Sequence, residues 1–163
     1  MFAIIDEVRN MMKYKYISKS ESETKTLAGN IVEHLHPGDV VLLTGDLGAG
    51  KTTFVSGALK KLGYNEHVVS PTFNILKCYF EVKPPVFHID AYRLENQNHD
   101  IGLEEFIEGN GITFIEWPIY IPELIPLKHL SIELTRIDDD KRNIIISDET
   151  DSYKELFASL KVN

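Results

Sequence analysis

Residues 40–59 read VVLLTGDLGAGKTTFVSGAL, and this stretch decides the fold. Four apolar residues, Val40, Val41, Leu42 and Leu43, run into a glycine-rich turn. That turn, Gly45-Asp46-Leu47-Gly48-Ala49-Gly50-Lys51-Thr52, fits G-x-x-x-x-G-K-[ST] at every fixed position. Phe54, Val55, Ala58, Leu59 and Leu62 then recur at helical spacing. The pattern predicts strand, loop and helix, the context in which the motif binds phosphate. Glycines admit dihedrals closed to other residues, so successive N–H groups can point into one concavity. The concavity opens onto a helix N-terminus, where unpaired N–H groups and the helix dipole favour an anion. Lys51 adds a mobile charge that can reach β- and γ-phosphates, and the Thr52 hydroxyl is small enough to ligate Mg²⁺ beside them. The bland alternative, a chance turn before Lys-Thr, arises in roughly one chain of this length in a few hundred. The residues from Gly45 to Thr53, namely Gly45, Asp46, Leu47, Gly48, Ala49, Gly50, Lys51, Thr52 and Thr53, are therefore candidate nucleotide contacts.

Around this stretch, 163 residues are enough for one domain with a real core. An apolar content of 43% and a charged content of 26% are ordinary for a globular protein. A net charge of −8 argues against a broad nucleic-acid surface, which needs clustered Lys and Arg. Cys78 is alone, which excludes an internal disulfide partner and a cysteine-rich metal site; an inert core thiol is expected. No apolar run approaches transmembrane length. Residues 2–5 are the only apolar run before Asp6 and Glu7, too short for a signal peptide, so cytoplasmic residence is expected.

Residues 1–12 read as a short helix or a leader. Residues 13–18 alternate as an edge strand does. Ser20 with Glu23 forms a capping-box pattern, opening a helix with Leu27, Ala28, Ile31, Val32 and Leu35 on one face. Glu23 and Thr24, just ahead of the central strand, are candidates for nucleotide contact, against the plainer reading of a solvated first turn. His36-Pro37-Gly38-Asp39 is a turn, and Gly63 is the expected cap of the second helix. Ser70-Pro71-Thr72 interrupts a strand-like run, because Pro71 cannot donate to a ladder; a hydroxyl there is placed to sense a γ-phosphate. Residues 75–82 read as a strand.

Two short apolar runs then end on a carboxylate: Val86-Phe87-His88-Ile89-Asp90 and Ile112-Thr113-Phe114-Ile115-Glu116. In open α/β sheets the ligand crevice lies at strand C-termini, and Mg²⁺ on a nucleotide needs hard oxygen ligands there. Asp90 and Glu116 are thus the metal candidates beside Thr52, and with Lys51 the catalytic candidates. Residues 102–107 suggest a short helix, residues 130–137 and 142–147 a hairpin turning at 138–141, and residues 152–160 a terminal helix. The late hairpin implies a mixed sheet, parallel at its centre with an antiparallel edge, in a P-loop NTPase-like three-layer α/β fold.

The order Gly45–Phe54, Ser70-Pro71-Thr72-Phe73, His88-Ile89-Asp90-Ala91-Tyr92-Arg93-Leu94, Glu116-Trp117-Pro118 resembles the bacterial TsaE family of small P-loop ATPases, also called YjeE. The resemblance runs from Glu23 to about Ile146. It implies a single P-loop ATPase domain over residues 1–163. It also implies an accessory role in threonylcarbamoylation of the adenosine beside the tRNA anticodon, with ATP and Mg as cofactors. The implied partner is the TsaB–TsaD heterodimer, so the link to tRNA is indirect. By the resemblance, Thr52 and Glu116 hold Mg²⁺, Asp90 fills the Walker B-like place, Thr72 belongs to a switch-like loop and Trp117 packs beside the nucleotide. A basic residue near the hairpin reaches the nucleotide, and Lys141 and Arg142 both match. The dozen residues before the first expected strand depart from the family pattern.

Three other functions compete with an ATPase. A small-molecule kinase usually has an arginine-rich lid, and the four arginines here, Arg9, Arg93, Arg136 and Arg142, are scattered. A GTP switch needs an Asn-Lys-x-Asp or Thr-Lys-x-Asp stretch, which is absent from the chain. The third rival is a module in which nucleotide binding only stabilises an interface.

Overall fold

Strand β2 (Val40–Thr44) is the middle strand of a seven-stranded sheet. The computed structural model describes residues 11–97 and 101–162. Six further strands are β1 (Met12–Ser18), β3 (Leu76–Tyr79), β4 (Val86–Asp90), β5 (Ile112–Glu116), β6 (Leu130–Arg136) and β7 (Arg142–Asp148). Across the sheet they run β1-β7-β6-β2-β5-β4-β3. The pairs β6–β2, β2–β5 and β5–β4 are parallel. The pairs β1–β7, β7–β6 and β3–β4 are antiparallel, so both edges carry the antiparallel character expected of one.

The parallel centre dictates its composition. A strand covered on both faces needs apolar residues at every position. Val41 and Leu43 enter one core, with helices α1 (Glu21–Val32), α2 (Lys51–Lys61) and α4 (Lys154–Val162). Val40 and Leu42 enter the other, with Ile107 of α3 (Glu104–Ile107), Leu94 and Ile121. Two side-chain layers around one sheet give the three-layer architecture.

The first helix begins as its sequence predicts. Ser20 Oγ accepts from Glu23 N at 3.1 Å, while the Glu23 carboxylate reaches back to Lys19 N at 2.7 Å, one residue earlier than the standard box. α1 and α2 cross with backbone contact: a Cβ on Gly57 would lie 2.4 Å from Lys25 Cα. Gly63, with φ +100°, follows the end of α2.

Three expectations need adjustment. Of the helix or leader at residues 1–12, residues 1–10 lie outside the described residues, and Met12 opens β1 instead. The strand expected at 75–82 is confined to Leu76–Tyr79. Ile75 has φ +66°, a left-handed conformation that a β-branched side chain resists, and it bounds the strand at its start. Cys78 is half-buried on that edge strand rather than in the core, and burial raises its thiol pKa.

Candidate nucleotide and metal site

The loop between β2 and α2 is shaped by the strand beside it. Gly45 has φ +144°, and a Cβ there would lie 2.3 Å from the Leu134 carbonyl oxygen of β6. Only glycine fits. Gly50, with φ +105°, is the N-cap of α2 and offers no side-chain cap, so the first N–H groups of the helix open toward the loop.

Lys51 opens α2 and is 5% exposed. Its ammonium donates to the carbonyls of Gly45 at 2.6 Å and Asp46 at 2.9 Å, and lies 4.5 Å from the centre of the Trp117 ring. Burial pushes its pKa below the ordinary lysine range, against the opposing pull of Glu116, Asp90 and Asp46. A charge held by carbonyls and a ring face, in a partly dry place, is poised to exchange them for phosphate oxygens.

Parallel pairing brings the two carboxylates together. In the β4–β5 register Asp90 lies opposite Glu116, and in β2–β5 Leu43 lies opposite Glu116. Both acids therefore stand at the sheet's C-terminal edge, beside the loop. They differ in what they hold. Glu116 Oε1 accepts from the Thr52 hydroxyl at 3.1 Å and lies 2.8 Å from His88 Nε2. Asp90 Oδ2 accepts from Ser70 Oγ at 2.7 Å and Thr72 Oγ1 at 2.9 Å, and its Oδ1 accepts from Tyr92 N at 3.0 Å. Asp90 thus ties the Ser70-Pro71-Thr72 loop to the sheet, whereas Glu116 pairs with the Thr52 hydroxyl in the first turn of α2.

A cavity of about 310 Å³ joins these groups, lined among others by Lys51, Thr52, Thr72, Asp90, Glu116 and Trp117. Arg142 forms part of its wall. The Arg142 guanidinium donates to the carbonyls of Ala49 at 3.0 Å and Gly48 at 3.2 Å, and to Asp138 O at 2.9 Å in the hairpin. Lys141 instead pairs with Asp138 at 3.1 Å on the hairpin surface. Of these two residues, the one packed on the loop is Arg142. Across Arg142 lies a second cavity of about 140 Å³, lined also by Thr24, Thr53 and Asp139. Thr24 is buried and hydrogen-bonded to Ser18 Oγ at 2.7 Å, so it is no solvated helix turn. Trp117, at φ +57°, follows Glu116 and packs against Tyr92 and Tyr120.

The donor set suits a nucleotide-borne cation. Among the described residues no group of three or more His, Cys, Asp or Glu could hold a metal alone. A hydroxyl and one or two carboxylates match Mg²⁺ that draws its other ligands from phosphates and water.

His88 is a site residue to which no sequence motif assigns a role. It is fully buried beneath Glu116. Its signal was present: one polar residue in an apolar strand, two before Asp90 and so on the same face.

The chain is similar to known proteins over most of its length. Residues 18–144 match the family described as "Threonylcarbamoyl adenosine biosynthesis protein TsaE". The tRNA threonylcarbamoyladenosine biosynthesis protein TsaE of Bacillus subtilis is 39% identical over 150 residues, 92% of this chain and 95% of that one. The protein of the same name from Rickettsia bellii is 40% identical over 142 residues, 85% of this chain and 98% of its own. The crystal structure of Bacillus subtilis YdiB superposes with a TM-score of 0.79 at 34% identity, covering 93% of this chain and 95% of that one. With motif order, sheet topology and near full-length similarity in agreement, the chain belongs to the TsaE family.

Proposed function

We propose that the protein binds ATP with Mg²⁺ at the head of α2 and hydrolyses it, as an accessory to tRNA threonylcarbamoyladenosine formation acting on the TsaB–TsaD complex. One observation carries the ATPase reading: the Thr52 hydroxyl and the Glu116 carboxylate meet at 3.1 Å beside a buried lysine under a glycine-rich loop. The family supports the pathway, and the motif resemblance implies the partner.

In this reading the loop N–H groups and Lys51 bind the β- and γ-phosphate oxygens. Thr52 and Glu116 would hold the cation, which would supply positive charge to offset that of the phosphates. Thr72, held by Asp90, faces the γ-phosphate, and Asp90 orients the attacking water. Arg142 stands between the two cavities, with the smaller one, beside Thr24, receiving the nucleoside. Phosphoryl transfer through a loose transition state needs positioning and charge more than covalent help. The arginines near the loop are otherwise engaged: Arg142 binds loop carbonyls, and the Arg93 guanidinium lies 4.3 Å from the Phe73 ring centre. A slow enzyme completed by its partner follows.

The test is ATP hydrolysis with and without TsaB–TsaD. Slow turnover alone and a marked rise with the pair are expected. Binding without hydrolysis under both conditions would instead favour a nucleotide-dependent interaction module.

A further inference from the structure

Beneath Glu116 lies a buried imidazole whose two nitrogens have different fates. His88 is fully buried, with Nε2 2.8 Å from Glu116 Oε1. Its Nδ1 is buried and has no hydrogen-bond partner among the described residues. A buried donor left unpaired costs more than the lone pair of a ring nitrogen, and a carboxylate oxygen can only accept. The ring hydrogen therefore belongs on Nε2, pointing at Oε1.

We infer that His88 is the positioning residue of Glu116: its Nε2–H fixes the carboxylate's rotamer and aims it at the cation site beside Thr52. The inference deepens the proposed function and rests on it for the identity of the cation. Three facts support it. His88, Asp90 and Glu116 share one face of the β4–β5 pair, the face toward α2, because His88 lies opposite Phe114 and Asp90 opposite Glu116. Oε1 receives both His88 and Thr52, so these donors fix the carboxylate plane from two sides. Among the described residues no donor reaches Oε2, which leaves that oxygen to the cavity that Glu116 lines. A glutamate on a strand end has three side-chain torsions, and a single hydroxyl would not hold them. Hydrogen bonds from outside the ligand set orient ligands and commonly set metal affinity by an order of magnitude or more.

The experiment has two independent arms. In the ligand-free protein, nitrogen-15 NMR of the imidazoles reports where His88 carries its hydrogen. In the second arm, Mn²⁺ binding is followed by electron paramagnetic resonance on protein loaded with the non-hydrolysable ATP analogue AMP-PNP. His88→Leu is expected to weaken Mn²⁺ binding about tenfold, while His88→Gln, whose amide nitrogen can replace Nε2–H, restores it to within about threefold. AMP-PNP binding without metal stays unchanged in both. With Glu116→Gln already present, His88→Leu has no further effect on Mn²⁺. Hydrogen on Nδ1 overturns the inference, as does an equal loss from His88→Leu in both backgrounds. If His88→Leu does not fold, the spectrum and the glutamine variant decide it: hydrogen on Nε2 with affinity retained supports the pair, and affinity lost overturns it. If the unaltered protein takes up neither AMP-PNP nor Mn²⁺, the proposed function fails, and the spectrum still judges the His88–Glu116 pair separately.

Discussion

Lys51 and Arg142 are two cations on one loop with different tasks. Lys51 is buried on loop carbonyls and the ring of Trp117, the chain's only tryptophan. Moving its ammonium onto a phosphate takes a charge away from that indole, so ATP should change Trp117 emission. Lys51→Ala should abolish the change and weaken ATP binding by about 10- to 100-fold, the worth of one charge-assisted hydrogen bond. A fluorescence titration checks both, and an unaltered affinity would remove Lys51 from the site. Arg142 braces Gly48 and Ala49 against the hairpin. Arg142→Ala should weaken nucleotide binding about tenfold through the loss of a charged contact and a loosened loop, while Lys141→Ala, which removes only a half-exposed ion pair with Asp138, changes it little. Equal effects of the two would count against this assignment. The sequence matched both residues to the role, because neighbours on a hairpin differ only in which way their side chains turn. His88 shows the same limit. Its partner Glu116 lies 28 residues away, and only the β4–β5 register joins them.

At the scale of elements, the crossing of α1 and α2 reverses an ordinary rule. Alanine normally stabilises a helix interior by up to about 1 kcal/mol over glycine. At Gly57 a Cβ would meet the backbone of Lys25 at 2.4 Å, which cannot yield without parting the helices. Gly57→Ala should therefore destabilise by about 1–3 kcal/mol in urea unfolding. Gly29→Ala, whose Cβ would meet only the Lys61 side chain at 3.3 Å, should cost far less. Similar losses at both positions would sink this account of the crossing. Tyr79, ending β3 against Tyr64, gives the fold a pH dependence. Burial raises its pKa from 10.0 to about 12. Between these values the folded chain keeps a proton that the unfolded chain has lost, so this contribution is complete below pH 10 and disappears as pH rises toward 12. Unfolding measured across that window should show Tyr79→Phe losing less stability than the unaltered chain. Tyr14, Tyr16, Tyr64 and Tyr153 are raised as well, so a slope remains in the variant. Element boundaries were legible where the cause was local: the apolar run of β2, the glycines after it, the Ser20 cap and the hairpin at 138–141. The late start of β3 was not, since the left-handed turn at Ile75 is set by Ile75 N donating to Pro71 O across the loop and Asp90 N of β4 donating to Ile75 O.

Over the whole molecule the sheet separates two ends. Parallel strands β2, β4 and β5 all deliver their C-termini to one end, so Glu116, Asp90 and the glycine-rich loop gather there. Leu130 pairs beside Val41, which puts the start of β6 and the turn before it at the opposite end. Exposed apolar side chains occur at both ends, yet not with the same surroundings. Phe73, 80% exposed, follows Thr72 of the cavity wall, and Ile119, 73% exposed, comes two residues after Trp117. Leu127, 91% exposed, and Phe80, 69% exposed, lie at the far end. Large apolar side chains bordering a polar cavity mark a surface that another protein covers, whereas apolar residues exposed singly need no explanation. A partner seated on Phe73 and Ile119 would close the end with the glycine-rich loop and exclude water from the phosphates, the condition under which positioned charges act most strongly. Phe73→Ser and Ile119→Ser should thus each weaken TsaB–TsaD binding by about tenfold, the typical worth of a central apolar contact at an interface. The rise in ATP hydrolysis with TsaB–TsaD should fall in parallel, while Trp117 emission still reports ordinary ATP binding by the isolated chain. Leu127→Ser should leave both unchanged. Calorimetry of the complex and coupled ATPase assays measure the two quantities. A partner that ignores Phe73 and Ile119 but is lost with Leu127 would put the interface at the wrong end of the sheet to affect hydrolysis directly.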